Sequence, residues 1–438
     1  MQPSQLDTNF LGFFLQVLSL SVTPTKSFMN LLRHFLLFFC FSSFVLGESL
    51  DLWRTAFIKA ARSEALAPNL VVRNLTILSI GSFECINSKE KIYRSYLDHN
   101  FSTPADYDEI SALRGCNLAL STFLHPSRKS SFVKIAHIDS LKSGKIAHNP
   151  SFLYGQKIAQ VLLAERIDDG STTKITYIPK IDPGQWRRTP PFFRPPEQPH
   201  WPNVKFFCLA SIKPFLPPPP PEPESMQYVN AVKEVKIWGA KQSPLRTKLQ
   251  TKIAEFWKGF SYTSTPPGHW NEIAHSLARL KNLSILEESR LFALLNLSMA
   301  DAGIVAWESK YHYHLWRPIH AIRHAGQFPA TKHLIDPNWE PLLETPPHPE
   351  YISGHGAYSG AASLMMELFF ETDQVEFSVS APNLPGFTRS FDSFQKCAQE
   401  ICDSRLFGGI HYSFSNKKAL QVGRKIAQFI YSTTLKPL

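Results

Sequence analysis

Residues 182–224 are so rich in proline that no long helix or central strand can run through them. The segment includes RTPPFFRPPEQPHWP and FLPPPPPEPE, and proline lacks a backbone N–H and disrupts both helix interiors and strand ladders. We therefore expect an extended connector that lies across the surface with its aromatic side chains packed down. It divides the 438-residue chain into an N-terminal region, residues 48–181, and a C-terminal region, residues 225–438, after a leader at residues 1–47.

Helical periodicity dominates the sequence on both sides of this connector. Apolar residues at steps of three and four predict two helices divided near Pro68, then further helices over residues 108–123, 154–166, 225–240, 245–260, 270–280 and 285–310. Only residues 171–179, STTKITYIP, alternate like a strand. The expected fold class is therefore all-α, a large helical-bundle unit with a proline-rich extended connector.

Composition restricts the classes of function. Apolar residues make up 43% and charged residues 19% of the chain, which is ordinary for a globular protein. Lys and Arg exceed Asp and Glu by 46 to 36, but no run of five basic residues occurs, so a nucleic-acid-binding tail is not supported. The six cysteines have no paired C-x-x-C spacing, which argues against a zinc site and leaves disulfide formation open.

The first fifty residues have the architecture of a signal peptide. From Met29, the chain reads MNLLRHFLLFFCFSSFVLGES, with Arg33 near the start, an apolar core over residues 35–46 and a small Gly47. This predicts export to the periplasm, the cell surface or the medium, with translation starting at Met1 or Met29. The alternative is an uncleaved membrane anchor. No other segment has enough uninterrupted apolar residues to span a bilayer, so no stable membrane span is expected after cleavage.

Residues 285–310 predict a long helix that carries a lysine on its apolar face. That face runs from Leu286 to Trp307 at steps of three, four or seven residues and continues to Lys310. A buried lysine requires an anionic partner. Seven residues later, Arg317 precedes Pro318, which favours the first turn of a helix and so places Arg317 at a helix entrance. Taken alone, both cations are also compatible with surface positions, where the aliphatic part of each side chain covers apolar surface.

The stretch YISGHGAYSG, residues 351–360, contributes a histidine at the start of another predicted helix. The helical pattern that begins at Ala357 places Ser353 and Gly354 at the helix N-terminus, where unpaired N–H groups favour an anion. The alternative is that Ser353 is only an N-cap and His355 a surface residue of the first turn.

A third segment, SRLFGGIHYSFS, contributes a second histidine. Its paired glycines, Gly408 and Gly409, are expected to end any helix, so that Arg405 and His411 flank a bend. The three segments together supply cations, a hydroxyl, a backbone amide and two imidazoles, whereas the nearest carboxylates are the neighbours Glu308 and Asp403. This set of groups suits a tetrahedral or trigonal-bipyramidal oxyanion. One imidazole can bond to its central atom while the other moves protons.

These motifs, K-x6-R-P, S-G-H and S-R-x5-H in this order, resemble those of the vanadium-dependent haloperoxidases and of the type 2 phosphatidic acid phosphatases. Trp307, three residues before the lysine, is similar to the fungal chloroperoxidase, and the stretches PPGHWNEIA and TPPHPEYISGHG resemble bacterial haloperoxidase-like proteins. The resemblance covers most of the chain after the leader. It implies the helical bundle of that superfamily, and the length of the chain is unlike that of the short membrane phosphatases.

The resemblance also implies roles for individual residues. His411 would bond to the vanadium of vanadate, or attack phosphorus in a phosphatase, and His355 would act as acid and base. His348, seven residues before His355, is similar to a histidine of the algal bromoperoxidases and favours bromide or iodide; the alternative is an ordinary loop residue. The groups that would hold the oxygens of the anion are Lys310, Arg317, Arg405, the Ser353 hydroxyl and the Gly354 amide.

Two departures from the family pattern stand out. Ile352 precedes the serine–glycine–histidine motif where proline is usual, which removes no functional group. Ser415 stands four residues after His411, where an aspartate is common. Loss of a carboxylate that supports this imidazole is expected to weaken metal affinity or nucleophilicity by about 10- to 100-fold unless another acid replaces it.

The leading hypothesis is an exported vanadate-dependent haloperoxidase-like enzyme that oxidises halide with hydrogen peroxide. The alternative is an acid phosphatase that hydrolyses a small phosphate ester through a phosphohistidine, with phosphate in place of vanadate. A third hypothesis is a non-catalytic relic that binds an oxyanion. The sequence does not assign the halide, the organic acceptor or the oligomeric state.

Overall fold

The computed structural model describes residues 48–99, 101–144 and 149–438. The predicted leader, residues 1–47, lies outside this range. The residues from 47 onward form one compact unit, and the boundaries expected at either end of the connector remain predictions.

The fold is predominantly helical, as predicted. In chain order, the long helices are α1 (48–63), α2 (Pro68–Glu90), α3 (Glu109–Leu124), α4 (Lys129–Ser143), α5 (Pro150–Arg166), α6 (Met226–Trp238), α7 (Lys248–Phe256), α8 (Thr265–Leu280), α9 (Ile285–Tyr313), α10 (Pro318–Arg323), α11 (Gly354–Phe370), α12 (Phe394–Phe407) and α13 (Ser413–Thr433). Strands β1 (Gln374–Ser380) and β2 (Thr388–Ser393) form an antiparallel hairpin between α11 and α12. Short 3-10 turns occupy Pro126–Arg128, Trp201–Asn203, Ala325–Gln327 and Pro329–Leu334.

Every helix expected from periodicity is present, with shifted ends, but the strand expected at residues 171–179 is wrong. This segment pairs with no strand, and Ile175 and Ile178 are 44% and 82% exposed, so the alternation does not mark a buried face. Helix α4 and the β1–β2 hairpin were not anticipated. The buried residues of α4 are only Phe132, Ala136 and Asp139, which is too few to give a clear apolar stripe.

Helix α9 is buried on nearly all sides rather than along one stripe. Among the described residues, it is the helix whose length and composition are sufficient to cross a membrane, but 94% of its most apolar window is buried inside the protein. A capping box between Ser284 and Glu287 begins the helix. At its other end, Lys310 is fully buried, so α9 carries a cation into the interior.

The connector packs into the protein through particular anchors. Trp186 and Trp201 are buried, as expected of its aromatic residues, although Phe192 and Phe193 are more than half exposed. The buried carboxylate of Asp301 on α9 accepts hydrogen bonds from three successive backbone N–H groups of the connector, those of residues 207, 208 and 209, at 2.7, 2.8 and 3.0 Å. One side chain of the longest helix therefore fixes the path of the proline-rich segment.

Helices α11 and α13 approach each other closely because glycines line their contact. A Cβ atom at Gly360 would lie 2.3 Å from the Leu420 carbonyl oxygen, and one at Gly423 would lie 2.2 Å from that of Ala357. Such distances are possible only without a side chain. The close contact brings the N-termini of the two helices together, and these ends carry the histidine motifs.

Candidate oxyanion site

A cavity of about 360 Å³ lies where the three motifs meet. Six of the nine residues predicted for the site line its wall: Trp307, His348, Gly354, His355, Arg405 and His411. The other three, Lys310, Arg317 and Ser353, are fully buried and lie immediately behind that wall. The structure thus brings all three motifs together, with the imidazoles of His355 and His411 and the guanidinium of Arg405 among the groups that line the cavity.

The hydrogen bonds of His411 define its tautomer. Its Nδ1 lies 2.7 Å from Glu350 Oε1, and its Nε2 lies 3.2 Å from Arg317 Nη1. A guanidinium can only donate hydrogen bonds, so Nε2 must be the acceptor and the proton must reside on Nδ1, where the carboxylate accepts it. Burial, followed by the charges of Arg317 and Lys310, holds the pKa of His411 well below its usual value. The ring is therefore neutral, with the Nε2 lone pair available as a ligand or nucleophile.

Glu350 is the functional residue that the sequence motifs did not reveal. It is fully buried, and its Oε1 also accepts a hydrogen bond from the Tyr412 backbone N–H at 3.0 Å. Burial raises the pKa of Glu350 to about 7, against the opposing effect of Arg317 and Lys310. Its position three residues before Ser353 was visible in the sequence, but nothing local indicated contact with residue 411.

Arg317 connects the ends of three chain segments. Its Nε donates to the His348 carbonyl oxygen at 2.8 Å, its Nη1 to the Ile410 carbonyl oxygen at 2.7 Å, and its Nη2 contacts His348 Nδ1 at 3.0 Å. It is the N-cap residue before Pro318, as predicted. Burial lowers its pKa to about 10, although Glu350 partly offsets this effect.

Arg405 and His355 share one backbone support, the segment that follows α7. Arg405 Nη2 donates to the Trp257 carbonyl oxygen at 2.7 Å, and His355 Nε2 lies 3.0 Å from the same oxygen. The two side chains also meet directly, with Nη1 of Arg405 3.2 Å from Nε2 of His355. Burial lowers the pKa of Arg405 to about 9, and burial with the Arg405 charge holds that of His355 well below its usual value.

Lys310 binds the loop before the serine–glycine–histidine motif rather than the cavity. Its Nζ donates to the carbonyl oxygens of residues 349, 350 and 352 at 3.3, 3.1 and 2.5 Å, and it lies 5.6 Å from the Trp307 ring centroid. Burial, then the Arg317 charge, holds the pKa of Lys310 well below its usual value. The ammonium thus orients three carbonyl dipoles away from the anion-binding face and adds positive potential from behind.

Ser353 and Gly354 begin α11, as predicted. Ser353 Oγ accepts from the Gly356 N–H at 3.3 Å, which makes it the N-cap and leaves its own hydrogen free to be donated. Gly354 occupies the first helical position on the cavity wall, where N–H groups have no partner within the helix. The N-cap role and the anion-binding role are therefore compatible.

His348 and Trp307 form the wall beside His411. His348 is buried, its ring centroid lies 5.0 Å from that of Trp307, and burial holds its pKa well below the usual value. It is not an ordinary loop residue, since it contacts both the cavity and Arg317. The carboxylates nearest the motifs in sequence lie elsewhere: Glu308 faces His312 at 3.8 Å, and Asp403 accepts from Gln399 at 2.8 Å.

The charges of the site favour an anion. Lys310, Arg317 and Arg405 are 0%, 0% and 1% exposed, and among the described residues none forms an ion pair with a carboxylate within 4 Å. The carboxyl groups of Glu350 and of Glu197, which lies on the connector, neutralise these positive charges only in part, because burial raises the pKa of both acids. The nearby carboxylates do not neutralise these three buried cations. A bound oxyanion would neutralise the remaining positive charge and so stabilise the site.

The connector forms the outer part of the cavity. Arg194 and Glu197 line it together with Glu344, and an ion pair of 2.7 Å joins Arg194 to Glu344. The Glu197 carbonyl oxygen accepts from the Tyr311 hydroxyl at 2.7 Å, which attaches the connector to α9. Sequence reasoning assigned no functional residue to this segment, because its composition indicated only irregular structure.

Replacement of Gly259 by alanine is expected to reduce activity about 100-fold by displacing His355. Gly259 has a φ of +62°, and a Cβ atom there would lie 2.5 Å from His355 Nε2. Misplacement of a catalytic group by about 1 Å costs this order of rate, and the left-handed backbone adds about 1–2 kcal/mol of strain for alanine. Steady-state kinetics and thermal unfolding measure the two effects separately.

The matched control is Gly386→Ala. Gly386 has a φ of +79° with no atom within 4 Å of the added Cβ, so this variant suffers the backbone strain without a clash. We expect it to lose stability and keep its activity. Equal activity losses in the two variants would contradict the displacement of His355.

Metal chelation by a cluster of protein side chains is not a feature of the described residues. They contain no group of three or more His, Cys, Asp or Glu side chains arranged to hold a metal ion. The five cysteines in the described range, Cys85, Cys116, Cys208, Cys397 and Cys402, are free thiols. Vanadate needs no such cluster, because one histidine nitrogen and donors to its oxygens suffice, and the neutral His411 and surrounding cations supply both.

Comparisons with known proteins agree with this site. The family model of the VCPO second helical-bundle domain matches residues 290–438, which contain all three motifs. The vanadium chloroperoxidase of Curvularia inaequalis is 26% identical over 351 residues, an alignment that covers 62% of this chain and 58% of the relative.

Solved structures extend the similarity to the whole fold. The crystal structure of a bacterial vanadium-dependent iodoperoxidase superposes with a TM-score of 0.78 at 27% identity, covering 89% of this chain and 97% of the other. A bacterial vanadium-dependent chloroperoxidase in its apo form superposes with a TM-score of 0.68 at 15% identity, covering 84% and 94%, which shows a shared fold. With three ordered motifs around one cationic cavity, the chain thus contains a VCPO second helical-bundle domain and is similar in fold to the vanadium-dependent haloperoxidases.

Proposed function

We propose that this protein is a vanadate-dependent haloperoxidase that oxidises bromide or iodide with hydrogen peroxide. The observation that carries the proposal is the geometry of His411: its Nδ1 lies 2.7 Å from Glu350 Oε1, and its Nε2 lies beside Arg317 at the wall of a cationic cavity. An unprotonated imidazole nitrogen surrounded by oxyanion donors is the arrangement that histidine-bound vanadate requires.

Residues at the cavity wall and immediately behind it would hold the anion. His411 Nε2 would be the vanadate ligand, and the Arg405 guanidinium and the Gly354 N–H would donate to its oxygens from the cavity wall. Arg317 and Lys310 add positive potential from behind the wall, where burial strengthens it. When bound, vanadate acts as a Lewis acid that activates hydrogen peroxide towards a halide.

His355 is the group placed to move protons. Its ring lies on the cavity wall, and burial, followed by the charge of Arg405, holds its pKa well below the usual value. An anion in the cavity offsets the Arg405 charge and raises the pKa of His355. The ring can then accept a proton from an incoming peroxide and release it to a departing oxygen.

The preference for bromide or iodide rests on His348. Its ring, the Trp307 ring and Ile410 form a wall of the cavity that is aromatic and apolar except for the imidazole. Such a surface suits a large, polarisable anion. The similarity to a bacterial iodoperoxidase supports the same direction.

The decisive experiment compares two activities with and without orthovanadate. Protein beginning at Glu48, purified in phosphate-free buffer, is assayed for bromide oxidation by peroxide and for hydrolysis of p-nitrophenyl phosphate. We expect bromide oxidation to require vanadate and to saturate with it. Phosphatase activity that vanadate inhibits, without bromide oxidation, would replace the proposal with the phosphatase alternative. Absence of both activities, despite vanadate binding, would indicate a relic.

We further propose that the enzyme acts outside the cytoplasm, as the signal-peptide pattern of residues 29–47 predicts. Free halide and peroxide would then reach the site directly. N-terminal sequencing of the mature protein recovered from cells or medium tests this: a start near Glu48 supports cleavage, and retention of the apolar segment contradicts it.

A further inference from the structure

Glu350 contacts two motifs of the site and lies three residues before the third. Its side chain binds His411 Nδ1 at 2.7 Å and the Tyr412 N–H at 3.0 Å, and its backbone oxygen accepts from Lys310 Nζ at 3.1 Å. Three residues later, Ser353 caps the helix that carries His355. A single residue therefore links the lysine, the histidine nucleophile and the serine–glycine–histidine segment.

Ser415 makes no comparable contact. It is fully buried four residues after His411, and neither ring nitrogen of His411 is bonded to its hydroxyl. Its side chain acts on Glu350 instead, where it opposes the effect of burial on the pKa of that carboxyl. The carboxylate at Nδ1 thus reaches His411 from residue 350, which is 61 residues earlier in the chain.

We propose that Glu350 is the positioning residue of His411, supplying from another chain segment the carboxylate that residue 415 does not provide. Its negative charge and fixed geometry hold the proton on Nδ1, which increases the electron density at Nε2 and orients that nitrogen towards the bound anion. The inference rests on the proposed function in treating His411 as the vanadate ligand.

Simple electrostatics and the positioning role predict opposite results for Glu350→Gln. Removal of a negative charge from a cationic site strengthens the binding of any anion, phosphate and vanadate alike. Loss of support for His411 weakens only the anion that bonds to Nε2. The ratio of vanadate affinity to phosphate affinity therefore isolates the positioning role, and it does not depend on catalysis.

Isothermal titration calorimetry with orthovanadate and with inorganic phosphate measures this ratio in the full chain. We expect Glu350→Gln to lower the ratio about 10- to 100-fold, with phosphate affinity unchanged or increased. The control Glu344→Gln removes a carboxylate at the same cavity that contacts Arg194 instead, and its ratio should equal that of the parent. An unchanged ratio in Glu350→Gln would overturn the proposal.

The double variant Glu350→Gln with Ser415→Asp tests replacement directly. An aspartate at residue 415 places a negative charge near His411 again, this time from helix α13. We expect the double variant to recover, on a logarithmic scale, at least half of the decrease in the ratio of vanadate affinity to phosphate affinity. A double variant that has the unfolding temperature of Glu350→Gln and no recovery would contradict the replacement.

Histidine-selective ¹⁵N NMR of the parent without added anion provides an independent readout, with the His411 signals assigned by their loss in His411→Gln. The proposal requires a protonated Nδ1 and an unprotonated Nε2; the opposite tautomer would overturn it. Because this measurement needs neither vanadate nor peroxide, it separates failure of the Glu350 assignment from failure of the proposed function.

Discussion

The variant His411→Ala is expected to lose bromide oxidation by at least about 1,000-fold while keeping its fold. This side chain is the one whose unprotonated nitrogen is available to bond with the central atom of the anion, so its loss removes covalent attachment. The remaining cations still bind an oxyanion electrostatically. We therefore expect phosphate affinity to change little, while vanadate affinity falls towards that of phosphate.

The measurement combines steady-state kinetics with titration of both anions. The control variant His312→Ala removes a half-exposed imidazole from the end of the helix that carries Lys310, where it faces Glu308 at 3.8 Å. This control should match the parent in rate and affinity. If His411→Ala retained the rate of the parent at saturating vanadate, the assignment of the ligand would be wrong. Circular dichroism establishes that both variants remain helical.

The location of the site followed from local sequence because its groups lie at helix ends. Proline after Arg317, the small residues around Ser353 and the paired glycines before His411 all mark where helices begin or end. Helix ends expose unpaired N–H groups and accept irregular backbone. The sequence therefore predicted the helix ends at which the three motifs lie, and the binding of an anion there stays a prediction.

The partners of these groups did not follow from local sequence. Contact between Glu350 and His411 joins residues 61 positions apart, and the support of His355 by the Trp257 carbonyl oxygen spans 98. Neither contact has a periodicity or a spacing that a single sequence displays. The partners of Lys310 are distant in sequence for the same reason. The sequence predicts that Lys310 faces the anion, but its ammonium group donates instead to carbonyl oxygens about 40 residues later in the chain.

The error at residues 171–179 and the incomplete prediction of the connector have a common cause. Long-range contacts decide both segments: residues 171–179 have no partner strand among the described residues, and Asp301 binds the connector. An isolated aspartate within the apolar helix α9 was present in the sequence, and a buried carboxylate requires donors. The donors could not be named because proline-rich segments carry no periodic signal that fixes their path.

Asp301→Ala is expected to destabilise the protein more than any change in the cavity. The variant leaves three buried backbone N–H groups, those of residues 207, 208 and 209, without an acceptor. Each unsatisfied buried donor costs about 1–3 kcal/mol, so the loss of the acceptor for all three should lower the free energy of unfolding by about 3–9 kcal/mol. Chemical denaturation monitored by circular dichroism measures this loss. Release of the connector should also disturb Arg194 and Glu197 at the cavity, so activity falls as well.

The pH dependence of this effect has a definite sign. Burial raises the pKa of Asp301 from 3.8 to about 6, despite the three N–H groups that favour its ionised form. The folded protein therefore holds this proton more tightly than the unfolded chain does, and the contribution of Asp301 to stability is greatest below pH 4 and declines as the pH rises towards 6. The difference between the parent and Asp301→Ala should be larger at pH 5 than at pH 7.

The control Asp336→Ala removes a carboxylate that accepts one exposed backbone N–H, that of Asn338, at 3.1 Å. Water satisfies that donor in the variant, so the change in stability should stay within about 0.5 kcal/mol. If Asp301→Ala were no more destabilising than this control, the other contacts of the connector, such as its buried tryptophans and the Tyr311–Glu197 hydrogen bond, would be sufficient to hold it. In that case the cavity residues Arg194 and Glu197 would keep their positions without the carboxylate. The hydrogen bonds between Asp301 and the proline-rich segment would then not contribute to activity.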